Sequence, residues 1–221
     1  MKNKIGIGII GTPKEYNNFK DYTYFIEPIE KCLTWTKNKL LYQLINDDCD
    51  HIFLMDDTVE ILDVCIFANY IDAAKKSGIW YLNYHGDYKV KNSIDYDDVG
   101  ISFSDTINKQ FCYYYKGIIK NVGFFDERYS TGLLEQIDYT YRVIQKGICP
   151  PWGWFADYEN SNQFIKQLKK PDLLDLNQQN YWNENQWFKH KHKEFYNKLS
   201  DTNHEIVIKK LEELKEQYAR K

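Results

Sequence analysis

The chain has 221 residues, 43% of them hydrophobic and 28% charged, with a net charge of −3. That supports one domain with a real core, or one domain plus an appendage, and argues against broad nucleic-acid binding, which needs a basic face. No apolar run approaches the roughly 18 residues of a membrane span, and the opening strand leaves no room for a signal peptide. Cys32, Cys49, Cys65, Cys112 and Cys149, odd in number and without a CxxC pair, read as reduced thiols, so a soluble cytoplasmic protein is expected.

Lys4–Ile10 (KIGIGII) reads as a first strand ending at Gly11-Thr12-Pro13. Its glycines spell GxGxxG, but they lie inside the strand, whereas a dinucleotide fingerprint places them in the turn that follows it. Glycine in a strand instead marks close approach of a backbone or a ligand. Tyr22–Ile26 is a β-rich candidate strand closed by Glu27-Pro28. Leu33–Ile45 carries Leu33, Lys37, Leu40, Leu41 and Leu44 at helical spacing.

Ile52–Met55 is a short, fully buried strand that runs into Asp56 and Asp57. In open α/β sheets ligands bind at the carboxyl ends of strands. Two carboxylates there are costly unless they hold a cation or meet donors. A solvated turn is the plainer account of the same residues.

Asp63–Ser77 is a helix closed by Gly78, Ile79–Tyr84 a strand, and residues 86–98 a loop or weak hairpin. Gly100–Phe103 and Phe111–Tyr115 are further strands, with Tyr114 facing opposite Tyr113 and Tyr115. Leu133–Lys146 is a helix with Gly147 as its cap, and Trp152–Ala156 is a short apolar stretch after Pro150-Pro151. From about Ser161 the chain reads as helical and polar, and Thr202–Glu205 forms a capping box for a last helix. Strand and helix alternate early, which points to α/β with a mostly parallel sheet and mixed edge strands. Aromatics reach 17%, which suits a surface for sugars or bases as well as a core.

Four segments together resemble family 2-type glycosyltransferases of the GT-A fold, in the small form found in phage and bacteria. They are the strand ending Gly11-Thr12-Pro13, Thr36-Lys37-Asn38-Lys39-Leu40-Leu41, Phe53–Ile61 (FLMDDTVEI), and Val122–Tyr129 with Glu135–Arg142 and Gly147. Trp154-Phe155-Ala156-Asp157 adds to the likeness. The resemblance covers about residues 4–165. It implies a GT-A-like, Rossmann-type mixed sheet flanked by helices over 1–165, with a helical C-terminal extension over 166–221. The implied setting is the cytoplasm of a bacterium or a phage-infected host cell.

The implied reaction is metal-assisted transfer of a sugar from a nucleotide-diphosphate sugar to an acceptor hydroxyl. Asp56 and Asp57 would hold Mn2+ or Mg2+. Thr12, Pro13, Lys37, Asn38 and Asp56 would meet the donor, and Glu27 is a candidate acceptor for a uracil-type base. Glu135 and Asp138 are the candidate general bases, with Asp126, Glu127 and Trp154 on the acceptor side. Thr58 and Gln136 stand where the family usually has acids. The His190-x-His192 pair lies among lysines and reads as a solvated stretch, with His190 a weak alternative metal ligand. Three alternatives stay open: a glycan or a DNA base as acceptor, a non-catalytic sugar-binding protein, and a subunit that forms a homo-oligomer through the last helix.

Overall fold

The computed structural model describes residues 4–104, 106–132, 134–146, 155–168 and 178–193. In chain order the elements are β1 (Ile5–Ile10), β2 (Thr23–Glu27), α1 (Leu33–Asn46), β3 (His51–Asp56), β4 (Val59–Ile61), α2 (Cys65–Ser77) and β5 (Tyr81–Asn83). They continue with β6 (Asn92–Tyr96), β7 (Val99–Ser104), β8 (Phe111–Tyr115), α3 (Lys116–Val122), α4 (Glu135–Gln145), β9 (Phe155–Tyr158), β10 (Ile165–Gln167) and α5 (Gln178–Lys191). The capping box at Thr202–Glu205, Gly147, and Trp152 with Trp154 lie outside the described residues.

The main sheet has the order β2-β1-β3-β8-β5. β1 pairs in parallel with β2 and β3, while β8 runs antiparallel to both β3 and β5. The sheet is therefore mixed, as expected, but its reversed strand sits inside the sheet rather than at an edge. The local pattern of a buried strand is the same in either direction, so sequence alone could not orient β8.

Helices cover both faces. On one side Phe67 and Tyr70 of α2 meet Phe53, Phe111 and Tyr113 edge-on, or stacked in the case of Phe67 and Phe111, with ring centroids 4.8–6.4 Å apart. On the other side α1 lies close against β1. A Cβ on Gly6 would stand 2.6 Å from Cys49 Sγ and Leu44 Cδ2, and one on Gly8 2.7 Å from Leu54 Cδ2 and 3.1 Å from Leu40 Cβ. The in-strand glycines thus admit α1 and its neighbours, not a dinucleotide. α4 shares that face, with Tyr139 5.6 Å from both Tyr81 and Tyr114. Tyr114 and Tyr113 point to opposite faces as the strand period requires, the first to Gln136 and the second to His51.

The stretch over 86–98 contains the first half of a hairpin, β6–β7. Its turn residues Asp97 and Asp98 both have positive φ (49° and 68°), as a tight primed hairpin turn demands. β9 completes that three-stranded sheet. Lys116–Val122 forms a helix where no element was expected, and β10 is a strand where helix was expected. β10 pairs with β4 across about a hundred residues and crosses the expected 165/166 division. Cys32, Cys49, Cys65 and Cys112 are free thiols. Among the described residues no helix is long and apolar enough to cross a membrane.

Candidate functional site

β1, β2, β3 and β5 all run the same way, so their carboxyl ends line one edge of the sheet. β8 enters that edge, and the first turn of α4 closes over it from the α1 face. Asp57 follows β3 and is held by β1: its N–H donates to Ile10 O (2.9 Å), and its Oδ2 accepts from Thr12 N–H (3.0 Å). Gly11 makes this possible. It sits at φ 151°, and a Cβ there would lie 2.2 Å from both Asp57 Cγ and Oδ2. Local sequence and site geometry meet at this glycine.

Asp56, the last residue of β3, donates its N–H to Gln110 O (2.8 Å). Its carboxylate makes no hydrogen bond or ion pair with the described residues. Burial pushes its pKa up to about 7; Lys37 and Lys109 pull it down, Glu135 and Asp57 push it up. Burial thus disfavours the charged carboxylate, and a bound cation would favour it.

Behind it lies a buried ionic group. The Lys37 ammonium, 1% exposed, donates to Glu135 Oε1 (3.0 Å) and Gln136 Oε1 (2.9 Å) and stands 5.2 Å over the Phe125 ring. Lys109 Nζ reaches Glu135 Oε2 at 4.0 Å and donates to Gly132 O at 2.8 Å. Burial would raise the Glu135 pKa, but Lys37 and Lys109 outweigh it and leave the group below its usual value. Glu135 Oε2 is buried without a hydrogen-bond partner. The Lys109 pKa is lowered, by burial first and by Lys37, against the pull of Glu135.

The structure gathers Thr12, Asp56, Asp57, Lys37 and Glu135 and sets the other candidates apart. Glu27 is tied to α1 by Lys39 (2.5 Å) and Gln43 (2.8 Å). Asn38 clamps the Phe125 backbone, accepting from its N–H (2.9 Å) and donating to its O (3.0 Å), and also donates to Glu127 Oε1 (3.2 Å). Pro13 is exposed beside Thr12.

Asp138, the other candidate base, lies among partners of its own. It is fully buried, with Oδ1 engaged by Lys191 (2.6 Å) and His192 (2.9 Å) and Oδ2 by Arg142 (2.9 Å). Burial would raise its pKa, but these partners lower it, and they leave neither oxygen unoccupied. Asp126 is likewise occupied, by Arg128 (2.9 Å) and Lys191 (2.8 Å), which overcome burial and hold it well below the usual carboxylate range. Trp154 lies outside the described residues.

Gln136 is a structural hub. Its amide nitrogen donates to Tyr81 OH (2.6 Å) and Tyr114 OH (2.8 Å), which explains a neutral residue at that position. Thr58 accepts from Gln110 Nε2 (2.8 Å). His85 and Asp157 form a separate buried network. Asp157 accepts from His85 N–H (2.8 Å), Ser161 Oγ (2.7 Å) and Tyr70 OH, and burial raises its pKa. The lysine-flanked histidines divide: His190 is exposed, whereas His192 is 1% exposed and packs 4.7 Å from Phe188, so the solvated reading fails for His192.

Sequence reasoning missed Lys109 and Glu184. Lys109 had one signal, a lone cation immediately before a strand that enters the site edge. Glu184 had none, because its partners lie more than fifty residues away.

No family model matches the chain, and no curated protein matches it. Among solved structures it is similar to A197 from STIV, at 11% identity over 54% of this chain and 68% of that one, with a TM-score of 0.41. It is similar to the catalytic domain of Drosophila beta1,4-galactosyltransferase 7 in complex with xylobiose, at 12% identity over 80% and 78% of the two chains, with a TM-score of 0.48. A glycosyltransferase involved in glycosylation of the major capsid of PBCV-1 is similar at 15% identity over 63% and 66%, with a TM-score of 0.33.

Proposed function

We propose that this protein is a glycosyltransferase that moves a sugar from a nucleotide-diphosphate sugar to an acceptor hydroxyl. The observation that carries the reading is Asp56. It ends β3 with a carboxyl group that no hydrogen bond or ion pair among the described residues engages, beside an Asp57 that Gly11 and Thr12 fix in place.

Among the described residues no group of three or more His, Cys, Asp or Glu side chains could hold a metal ion. Two adjacent carboxylates still fit a Mg2+- or Mn2+-type ion, which keeps waters and shares substrate phosphates rather than needing an all-protein cage. Asp56 and Asp57 would hold it, and when bound it would take up charge that develops on the leaving diphosphate. Thr12 and Pro13 border the donor's entry to that edge. Lys109 stands on the Glu135 side of the site, 4.0 Å from that carboxylate.

Lys37 and Asn38 act from beneath. Lys37 neutralises Glu135, and Asn38 fixes the Phe125 backbone. Glu135 is the stronger base candidate, since Oε2 has no hydrogen-bond donor of its own, while both oxygens of Asp138 are engaged by Arg142, Lys191 and His192. A general base must reach the proton it takes, and Oε2 is the Glu135 oxygen left without a hydrogen-bond donor.

The test is turnover. Purified protein is incubated with UDP-, GDP- and dTDP-hexoses, Mn2+ and a mixture of simple glycosides, and free nucleoside diphosphate is followed by mass spectrometry. The reading expects metal-dependent release from one donor, lost in Asp57→Asn. Donor binding without release in any mixture would favour a non-catalytic sugar-nucleotide binder instead.

A further inference from the structure

We propose that α5, and Glu184 in particular, is the positioning element for the Lys109–Glu135 side of the site; this rests on the transferase reading above. Glu184 is 5% exposed, and its carboxylate collects four donors from two consecutive residues of the loop before α4. Oε1 accepts from Ser130 N–H (2.6 Å), Ser130 Oγ (3.0 Å) and Thr131 N–H (2.9 Å), and Oε2 accepts from Thr131 Oγ1 (2.5 Å). A carboxylate with two backbone N–H bonds and two hydroxyl bonds fixes both the position and the orientation of that loop.

The next residue is the one that matters to the site. Gly132, at φ 74°, presents its carbonyl to Lys109 Nζ at 2.8 Å, and Lys109 in turn faces Glu135 Oε2 at 4.0 Å. A path of direct contacts therefore runs from α5 through Ser130, Thr131 and Gly132 to the ammonium and carboxylate beside Asp56. Two further ties hold the same segment. The Arg128 guanidinium stacks 3.8 Å over the Trp187 ring, and Lys191 bridges Asp126 (2.8 Å) and Asp138 (2.6 Å). All three ties run to the stretch between residues 126 and 138. Asp57, by contrast, is braced by Ile10 at the end of β1 and by Thr12 just beyond it. The two halves of the site thus have different supports: Asp57 is braced from the end of β1, while the loop that leads to Glu135 is braced from α5.

Losing Glu184 should free the loop and the Lys109 contact without disturbing Asp56 or Asp57. The full chain is compared with Glu184→Gln, which keeps the shape but sets an amide against donors, and with Glu184→Ala. Hydrogen exchange read by mass spectrometry should rise at least tenfold over residues 129–138 in Glu184→Ala, less in Glu184→Gln, and stay unchanged over 5–12 and 51–57. Binding of UDP with Mn2+ should remain within twofold of wild type in both variants, while transfer to an acceptor falls at least tenfold through kcat. Unchanged exchange over 129–138, or an equal rise over all three segments, overturns the proposal. If the wild-type protein binds no nucleoside diphosphate, the transferase reading and the acceptor role fall, and the exchange data alone still decide whether Glu184 holds the loop.

Discussion

Replacing Lys37 by Met separates two roles that the residue could have. Its ammonium is 1% exposed and bonds the carboxylate of Glu135, itself 0% exposed, at 3.0 Å, with Gln136 as a further acceptor at 2.9 Å. Breaking such a pair leaves a charge buried without its partner, which costs about 3–5 kcal/mol. For a chain of this length each kcal/mol lowers Tm by about 2–4 °C, so Lys37→Met should melt roughly 6–20 °C lower. Lys109 stands 4.0 Å from the other Glu135 oxygen and partly compensates, which places the expectation in the lower half of that range. Adding Glu135→Leu should recover most of the loss, because replacing both partners by apolar groups is often neutral. The assay is calorimetry and denaturant unfolding on the four proteins of the cycle, beside Mn2+-dependent UDP binding. If Lys37 instead held the donor phosphates, Lys37→Met would keep nearly the wild-type Tm and lose nucleotide affinity; a stability loss under 1 kcal/mol would refute the buried-pair argument.

Gly11→Ala should cost about 1–3 kcal/mol for its φ of 151° and its clash with Asp57, and should abolish any metal-dependent thermal shift with nucleotide. His51, buried with Nδ1 2.8 Å from Tyr113 OH, has its pKa pushed down by burial to about 4 from 6.5. The unfolded chain then binds a proton that the fold refuses, so stability falls as pH drops from 6.5 toward 4, by roughly 3 kcal/mol at most at 1.36 kcal/mol per unit; urea unfolding of wild type and His51→Gln at pH 7 and 4.5 should show the slope weakened in the variant. Tyr70→Phe removes a donor from the buried Asp157 carboxylate and should cost about 1–3 kcal/mol by chemical denaturation, with nucleotide binding unchanged.

What could be read from the sequence is local. Asp56 and Asp57 were visible because an apolar strand running into acids is a contiguous signal, and Gly78 was visible as the αL cap that ends α2. The direction of β8 was not, since its apolar residues look alike either way. β10 is three residues long and exists through its pairing with β4. His192 was hidden by the lysines around it, because a charge run gives no sign that one member turns inward to Asp138. Lys37 looked like a phosphate ligand through the family resemblance, and the fold places it under Glu135, 98 residues away in sequence. The departures at Gln136 and Thr58 also have tertiary causes: both satisfy buried polar partners, Tyr81 and Tyr114 in one case and Gln110 in the other.

The central claim is that Asp56 and Asp57 form a cation-dependent diphosphate site at the edge of the sheet. Isothermal titration of UDP, GDP and dTDP into wild-type protein, Asp56→Asn and Asp57→Asn, each with Mn2+ and with EDTA, tests it most directly. The account predicts micromolar binding of one nucleoside diphosphate that requires Mn2+ and weakens at least tenfold in each variant. Binding that is equally tight in EDTA, or that both variants retain at full strength, would contradict it.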